Sequence, residues 1–362
     1  MPNNSLTNSN ARNIAEVVVP CRELDQTLSF FVDQLGFRVE MITPADNPNT
    51  AIISGYGVRL CLRHGGTGEN IVVRLHTSDR KAQTLQAPNG TTIEIINPNV
   101  GVKLPALRES LVVTPLTSDA SWTVGRAGMR YRDLIPNRLG GVFIASHIHI
   151  PNGGPVPDYV HYHRVKFQMI YCKSGWVRVV YEDQGDSFVM NAGDCVLQPP
   201  EIRHRVLESS DNLEVIEIGA PAEHETFAEH TITLPTPTLR PDRDFSGQRF
   251  VRHVAEQTPW LPWRFEGFEA RNTGIDLATS GYASAMTIRA NKSAIMSESG
   301  HEHQLMFLFI LSGSATLETG NDHETKQLQI GTSVTLPSTL KFKLEVTADD
   351  TQFLLVEVGK LI

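Results

Sequence analysis

The 362-residue sequence is poor in several features, and each shortage excludes a class of protein. It has only 4 cysteines, Cys21, Cys61, Cys172 and Cys195, in apolar contexts and with no CxxC spacing. That argues against a disulfide framework or a thiolate zinc knot and for reduced, partly buried thiols. Long apolar runs are missing too: no stretch approaches the roughly 20 residues a membrane-spanning helix needs, so no membrane partner is expected. Positive charge is in deficit, with 32 Lys and Arg against 40 Asp and Glu and a net charge of −8. This removes the electrostatic reason for a nucleic-acid partner and leaves small molecules. The opening MPNNSLTNSNAR lacks the apolar core of a signal peptide and reads as a frayed leader, with the cytoplasm as the default location.

With 40% apolar and 20% charged residues, the chain has the composition of a globular protein long enough for two or three domains. Its first block runs to about residue 100. A short apolar strand over Ile14 to Cys21 precedes a helix with Leu24, Leu28, Phe31 and Leu35 at helical spacing, ended by Gly36. Strand-like runs follow at Phe37 to Ile42, Thr50 to Ser54, Val58 to Arg63 and Ile71 to His76, and at Thr91 to Ile96 after the turn Pro88-Asn89-Gly90. That order, with LDQTLSFFVDQLGF and PNGTTIEIINP, resembles one half of the vicinal oxygen chelate superfamily, the glyoxalase and bleomycin-resistance fold, over residues 12 to 98. The resemblance implies metal ligands at Glu16 and Glu94, although Glu16 departs from the usual His. A complete site in that fold needs two modules and only one is present. The module is therefore expected to be structural, or to pair with a second chain in a homodimer.

From about residue 108 the pattern changes to short β-rich runs punctuated by Gly and Pro, such as GGVFIASHIHI, KFQMIYCKSG and SFVMNAGDCVLQPP, which suggest a β-barrel or jelly roll. The Pro-rich LPTPTLRPDRD marks a linker, and the β-rich pattern then returns. The two β-rich blocks repeat. His161 and His163 recur as His301 and His303, and Gly141 recurs as Gly281, all at one offset. Gly175, Gly193 and Pro199 recur as Gly313, Gly331 and Pro337 at a slightly shorter one, and the closing VIEIG and LVEVG return to the first. Such agreement is the signature of a duplicated unit.

The first copy reads His161-x-His163, four residues, Gln168, six residues, Gly175; its second half reads Gly193, five residues, Pro199, then Glu201 and His204. Two histidines one residue apart on a strand point to one face. A third arriving from a later hairpin can complete three coordination positions and leave others open. These spacings are similar to both cupin motifs, with Gln168 in place of the usual Glu and Glu201 in place of a Gly. The resemblance covers residues 108 to 232 and again 253 to 362. The expected fold is mainly β, two cupin jelly-roll barrels behind a small α+β (βαβββ) module. Its expected divisions are 1–100, barrel 1 over 101–232, a linker over 233–252 and barrel 2 over 253–362.

The expected ligands of one divalent transition metal are His161, His163 and His204. Gln168 either binds weakly or hydrogen-bonds to what the metal holds. With no anionic ligand the ion keeps its full charge and favours anionic, chelating substrates. Cupins with such a ligand set look like Fe(II) dioxygenases, so Fe(II) and O₂ come first and Zn²⁺, Mn²⁺ or Ni²⁺ remain alternatives. Arg130, Arg132, Tyr162, Lys166 and Arg178 are candidate anion holders, and His147 and His149 share one face of a strand. Glu201, Glu208 and Asp158 are the available acid–base groups. In the second copy Met306 and Phe342 stand at the Glu and third His positions, so His301 and His303 form a degenerate site. The leading expectation is an Fe(II) dioxygenase for a diketone, phenol or thiol. A non-redox isomerase, lyase or hydrolase, or a ligand-binding protein without activity, stay open.

Overall fold

The protein is described from a computed structural model over residues 14–360, apart from 22, 35, 56–57, 66–71, 77, 79–80, 87–91, 98–100, 119, 291–292, 321–322 and 347–349. The leader and the Pro88-Asn89-Gly90 turn lie outside the described residues. The chain is mainly β and divides into two compact units, residues 1–102 with 225–228, and residues 103–224 with 229–362. Among the described residues no helix is long and apolar enough to cross a membrane.

In the smaller unit, the β-branched strand Ile14–Cys21 lies parallel to Val58–His64 and antiparallel to Val72–His76. Arg38–Thr43 and Thr50–Gly55 extend the sheet on one side, Thr92–Ile96 and Gln83–Gln86 on the other. The last of these strands was not expected. The helix Leu24–Ser29 widens into a π-helical turn over Phe30–Gln34, and Leu24, Leu28 and Phe31 pack with Phe37, Ile53 and Leu62. Thr226–Ala228 adds a further strand beside Arg38–Thr43.

The larger unit contains two barrels. In the first, a sheet that includes Ile144–Ile150, Phe167–Ser174 and Leu213–Ala220 encloses an apolar core with the strands Trp176–Tyr181, Phe188–Asn191 and His204–Ser209. In the second, Ala283–Ala290, Leu305–Ser312 and Thr351–Val358 do the same with Ala294–Glu298, Ser314–Thr319 and Phe342–Val346. Strand alternation divides the labour: Cys172 faces the first barrel's interior, while Phe167, Met169 and Tyr171 pack against Phe307, Phe309, Leu354 and Val356 between the barrels.

The barrels exchange edge strands. Val112–Thr114, on the first-barrel side of the expected boundary, pairs with Ser333–Thr335 of the second. Val251–His253, from the expected linker, pairs with Cys195–Leu197 of the first. The repeated Gly175 and Gly313 have φ of 77° and 69°, and a Cβ at either would collide with Ser210 or Thr351. Pairing also revises one alignment of the repeat. Gln168 lies opposite Gly219 and Met306 opposite Glu357, so the closing strands follow the shorter offset of the glycines rather than that of the histidines.

Candidate metal centre

His161 and His163 sit on one short strand, both buried, with the intervening Tyr162 on the other face and stacked under Arg203 at 4.1 Å. His204 opens the neighbouring antiparallel strand directly opposite His161. The ring centroids are 4.2 Å apart for His161 and His204, 5.1 Å for His163 and His204, and 5.2 Å for His161 and His163. One ring nitrogen from each lies within 4.8 Å of the others. The turn that delivers His204 is tied to the ligand strand by the Glu201 N–H, which donates to the His163 carbonyl at 3.1 Å.

Hydrogen bonds set two of the tautomers. His161 Nδ1 is 2.8 Å from the Tyr159 carbonyl and His204 Nδ1 is 3.0 Å from the Ile202 carbonyl. A carbonyl only accepts, so each Nδ1 carries the proton and each Nε2 presents a lone pair. Burial first, then Arg126 and the neighbouring imidazoles, hold His161 well below the usual histidine range. Burial followed by His204 and His224 does the same to His163. Burial takes His204 down to about 4 against the support of the Ile202 carbonyl. Three buried, neutral imidazoles, two of them with directed Nε2 lone pairs, fit a divalent transition ion.

Both Nε2 atoms are touched by N–H donors. Arg126 Nη2 is 2.9 Å from His161 Nε2, and Gln198 Nε2 is 3.1 Å from His204 Nε2. Arg126 is ion-paired with the buried Asp158 and lies beside Tyr159, and Asp158 also accepts the Val206 N–H at 2.9 Å. Burial opposes the Arg126 charge, but Asp158 and the adjacent tyrosines raise its pKa overall. Arg126 Nε and the Tyr159 hydroxyl are buried with no hydrogen-bond partner among the described residues. Asp158, expected as an acid–base group, is committed to this ion pair. His224 packs edge-on to His163 at 5.3 Å.

Gln168 is buried and does not touch the histidines directly. Its Nε2 donates to Glu217 Oε1 at 2.6 Å, and its Oε1 accepts from Gln198 Nε2 at 3.3 Å. Tyr181 donates to Gln198 Oε1 at 3.0 Å and stacks on His204 with centroids 5.5 Å apart. Arg126, Gln198, Tyr181 and Glu217 were missed from sequence. Only Gln198, one residue before the motif's Pro199, carried a positional signal.

Several expected anion holders lie elsewhere. Arg178 stands between the interior residues Val177 and Val179, so it faces outward, where it meets Glu208 at 3.4 Å. Arg132 is buried away from the triad, donating to the Gly331 carbonyl at 2.8 Å and to His147 at 3.2 Å. Tyr162 faces away, and Arg130 is exposed on its strand. Lys166 precedes the strand of Gln168, and its carbonyl accepts from Gln248 at 2.7 Å and Tyr282 at 3.2 Å. His147 pairs with Glu214 at 2.6 Å and packs on Phe309 between the barrels, and His149 meets Asn212 at 3.3 Å.

In the second barrel the positions equivalent to Gln168, Gln198 and His204 are Met306, Leu336 and Phe342, which belong to a buried apolar core. His301 Nε2 donates to the Leu336 carbonyl at 3.0 Å and its Nδ1 accepts the His303 N–H at 3.2 Å, while His303 faces Glu357 at 3.6 Å. In the smaller unit Glu16 is fully buried among Arg59, Arg74 and His76, and Arg74 also holds Glu94 at 2.5 Å. These carboxylates are not a free ligand pair: arginines neutralise them, Glu16 in full burial and Glu94 with part of its side chain exposed.

Residues 146–219 match the cupin domain family. No curated protein sequence matches the chain. Among solved structures, a mutant of Bacillus subtilis oxalate decarboxylase superposes with a TM-score of 0.51 at 12% identity, over 73% of this chain and 80% of that one. Salicylate 1,2-dioxygenase from Pseudaminobacter salicylatoxidans gives 0.50 at 17%, over 70% and 86%. Procruciferin, an 11S globulin from Brassica napus, gives 0.50 at 9%, over 70% and 85%. At these identities the likeness is one of fold, and the cupin match over residues 146–219 falls on the barrel that carries His161, His163 and His204.

Proposed function

We propose that the first barrel holds one divalent transition metal on His161, His163 and His204, and that the protein is a metal-dependent enzyme for a small anionic chelating substrate. Fe(II) with O₂ is the leading chemistry, and a diketone, phenol or thiol the leading substrate class. The observation that carries the reading is the set of buried neutral imidazoles with the buried cation Arg126 against one Nε2. No protein donor in the set is anionic, so a bound ion keeps its charge and supplies Lewis acidity and, as iron, a route for electrons to O₂. The side chains do the rest. The Tyr159 and Ile202 carbonyls keep the Nε2 atoms of His161 and His204 unprotonated, and a bound ion would take those lone pairs in place of the Arg126 and Gln198 N–H groups. Arg126, held by Asp158, keeps a guanidinium beside the centre for an anionic group.

Two of the superposed structures are named for oxalate and salicylate, both carboxylates, which accords with that guanidinium. The globulin of similar structural likeness carries no enzyme name, so the fold alone does not fix redox chemistry, and the second reading is a barrel that acts without it, as an isomerase, lyase or binding protein using Zn²⁺, Mn²⁺ or Ni²⁺. Metal analysis of protein purified without oxygen, followed by O₂ uptake with diketones, phenols, thiols and small carboxylates, separates them. Iron with substrate-dependent O₂ consumption is expected. Zinc occupancy with no uptake overturns the dioxygenase, and a His204→Ala protein with full metal content overturns the centre.

For the smaller unit we propose a glyoxalase-like half-module with an assembly role in a homodimer. Its strand, helix and three further strands, with the first strand parallel to Val58–His64, support this. Light scattering should give twice the chain mass of 40.1 kDa, and a monomer overturns it.

A further inference from the structure

The polar chain behind His204 has a direction. An ionised carboxylate only accepts hydrogen bonds, whereas an amide can turn over and a hydroxyl can donate or accept. Glu217 is thus the one group in the sequence Glu217, Gln168, Gln198, Tyr181 whose polarity is fixed. By taking Gln168 Nε2 at 2.6 Å it turns Gln168 Oε1 towards Gln198. Gln198 must then present Nε2 to that oxygen, with its own Oε1 on the Tyr181 hydroxyl at 3.0 Å. The second Gln198 N–H is left facing His204 Nε2 at 3.1 Å.

The second barrel supplies an internal comparison. Met306, Leu336, Phe342 and Leu355, the repeat equivalents of Gln168, Gln198, His204 and Glu217, all lie in one apolar core. The relay is absent where the third histidine is absent. A polar chain kept only to satisfy a barrel interior has no reason to vanish together with a ligand.

We propose that Gln198 is an anion-binding residue of the centre and Glu217 its positioning residue: Glu217, through Gln168, holds a Gln198 N–H towards an acceptor atom of an anion bound at the triad. This rests on the metal-centre reading and adds a specificity. With Arg126 on the His161 side and Gln198 on the His204 side, the site takes anions with two acceptor atoms, carboxylates among them.

The test uses the full chain loaded with Co(II), read by its visible absorption, and azide as the anion probe. Gln198→Leu places there the residue that the second barrel already carries at Leu336, and Gln198→Met is a second variant of similar length. Both are expected to bind Co(II) like the unaltered protein and to lose azide affinity by about tenfold or more, the worth of one hydrogen bond to a charged group. Glu217→Gln, which has no fixed polarity, should lose about threefold, and combined with Gln198→Leu it should lose no more than Gln198→Leu alone, because it acts through Gln198. Unchanged azide affinity in both Gln198 variants overturns the proposal while leaving the centre intact, and additive losses in the double variant overturn the positioning role. Failure of the unaltered protein to take up Co(II) overturns the centre itself and the proposal with it.

Discussion

Lowering the pH should destabilise the metal-free protein in a window set by its histidines rather than its carboxylates. A free histidine titrates near 6.5, and His204 in the folded chain near 4, because burial penalises the imidazolium. Above pH 6.5 the side chain is neutral in both states and contributes no slope. Between 6.5 and about 4 only the unfolded chain takes up the proton, so stability falls with pH, and below about 4 the slope vanishes. At about 1.4 kcal/mol per pH unit, the interval from 6.5 to about 4 amounts to about 3 kcal/mol from His204 alone. His161 and His163 are shifted the same way and add to it. Against a typical total of about 5–15 kcal/mol this is a large loss. The carboxylate window lies lower. Glu214 is held down to about 2 by His147 and Lys173, so its contribution is present above the ordinary carboxylate range and is lost only as pH falls towards 2. Urea unfolding of chelator-treated protein between pH 7 and 4.5, beside a His204→Gln variant, measures the histidine window. The same urea midpoint at pH 7 and pH 4.5, or an unchanged pH slope in the variant, refutes the reasoning.

Arg126→Met leaves the Asp158 carboxylate buried without its cation, so it should lower stability by about 3–5 kcal/mol in thermal unfolding, and Asp158→Asn in the same chain should restore most of it. The pair His301→Ala/His303→Ala should leave the Co(II) stoichiometry unchanged, whereas His161→Ala/His163→Ala should abolish binding; a halved stoichiometry in the former would reveal a second centre. Glu201 has φ of 61°, in the left-handed region, at a cost of about 1–2 kcal/mol. Glu201→Gly should therefore raise stability in urea unfolding by about 0.5 kcal/mol, since glycine's extra freedom when unfolded takes back part of the gain.

The histidine triad was legible because each half of it is local in sequence. The His-x-His pair needs only strand alternation to share a face, and the spacing from Gly193 through Pro199 to His204 fixes the turn that leads from Cys195–Leu197 to His204–Ser209. The repeat was marked by glycines such as Gly175 and Gly313, whose left-handed backbone other residues seldom adopt. What surrounds the histidines was not legible, because it comes from pairings far apart in the chain. Arg126 reaches His161 from an irregular turn 35 residues earlier, and Glu217 reaches Gln168 across two strands 49 residues apart. Arg178 and Arg132 misled for the same reason: a positive charge near a motif says nothing of its face until the register is known. Glu16 also reads differently once Arg59 and Arg74 are seen to enclose it. The strand exchange at Val112–Thr114 and Val251–His253 leaves no local signal, since each segment looks like any short β-run until its partner is known.

The apolar second barrel tests why one of two equal scaffolds carries the histidine triad. Phe342 fills the place of His204 within a core shared with Met306, Leu336 and Leu355. Restoring the missing ligand by Phe342→His removes packed aromatic volume and buries an imidazole with no polar partner among those neighbours, at a cost of about 3 kcal/mol or more. The backbone carbonyl of Ile202 that orients His204 has its counterpart at Leu340, which precedes Phe342 by the same two residues, but no amide pair like Gln168 and Gln198 stands behind it. His301 is not free to join, because both of its ring nitrogens are bonded to backbone. The variant should therefore unfold at lower urea and bind no second Co(II). A Phe342→His protein as stable as the unaltered chain would refute the packing cost, and one that takes up two ions would show that a third histidine alone makes a metal site and that the polar residues behind His204 do not matter.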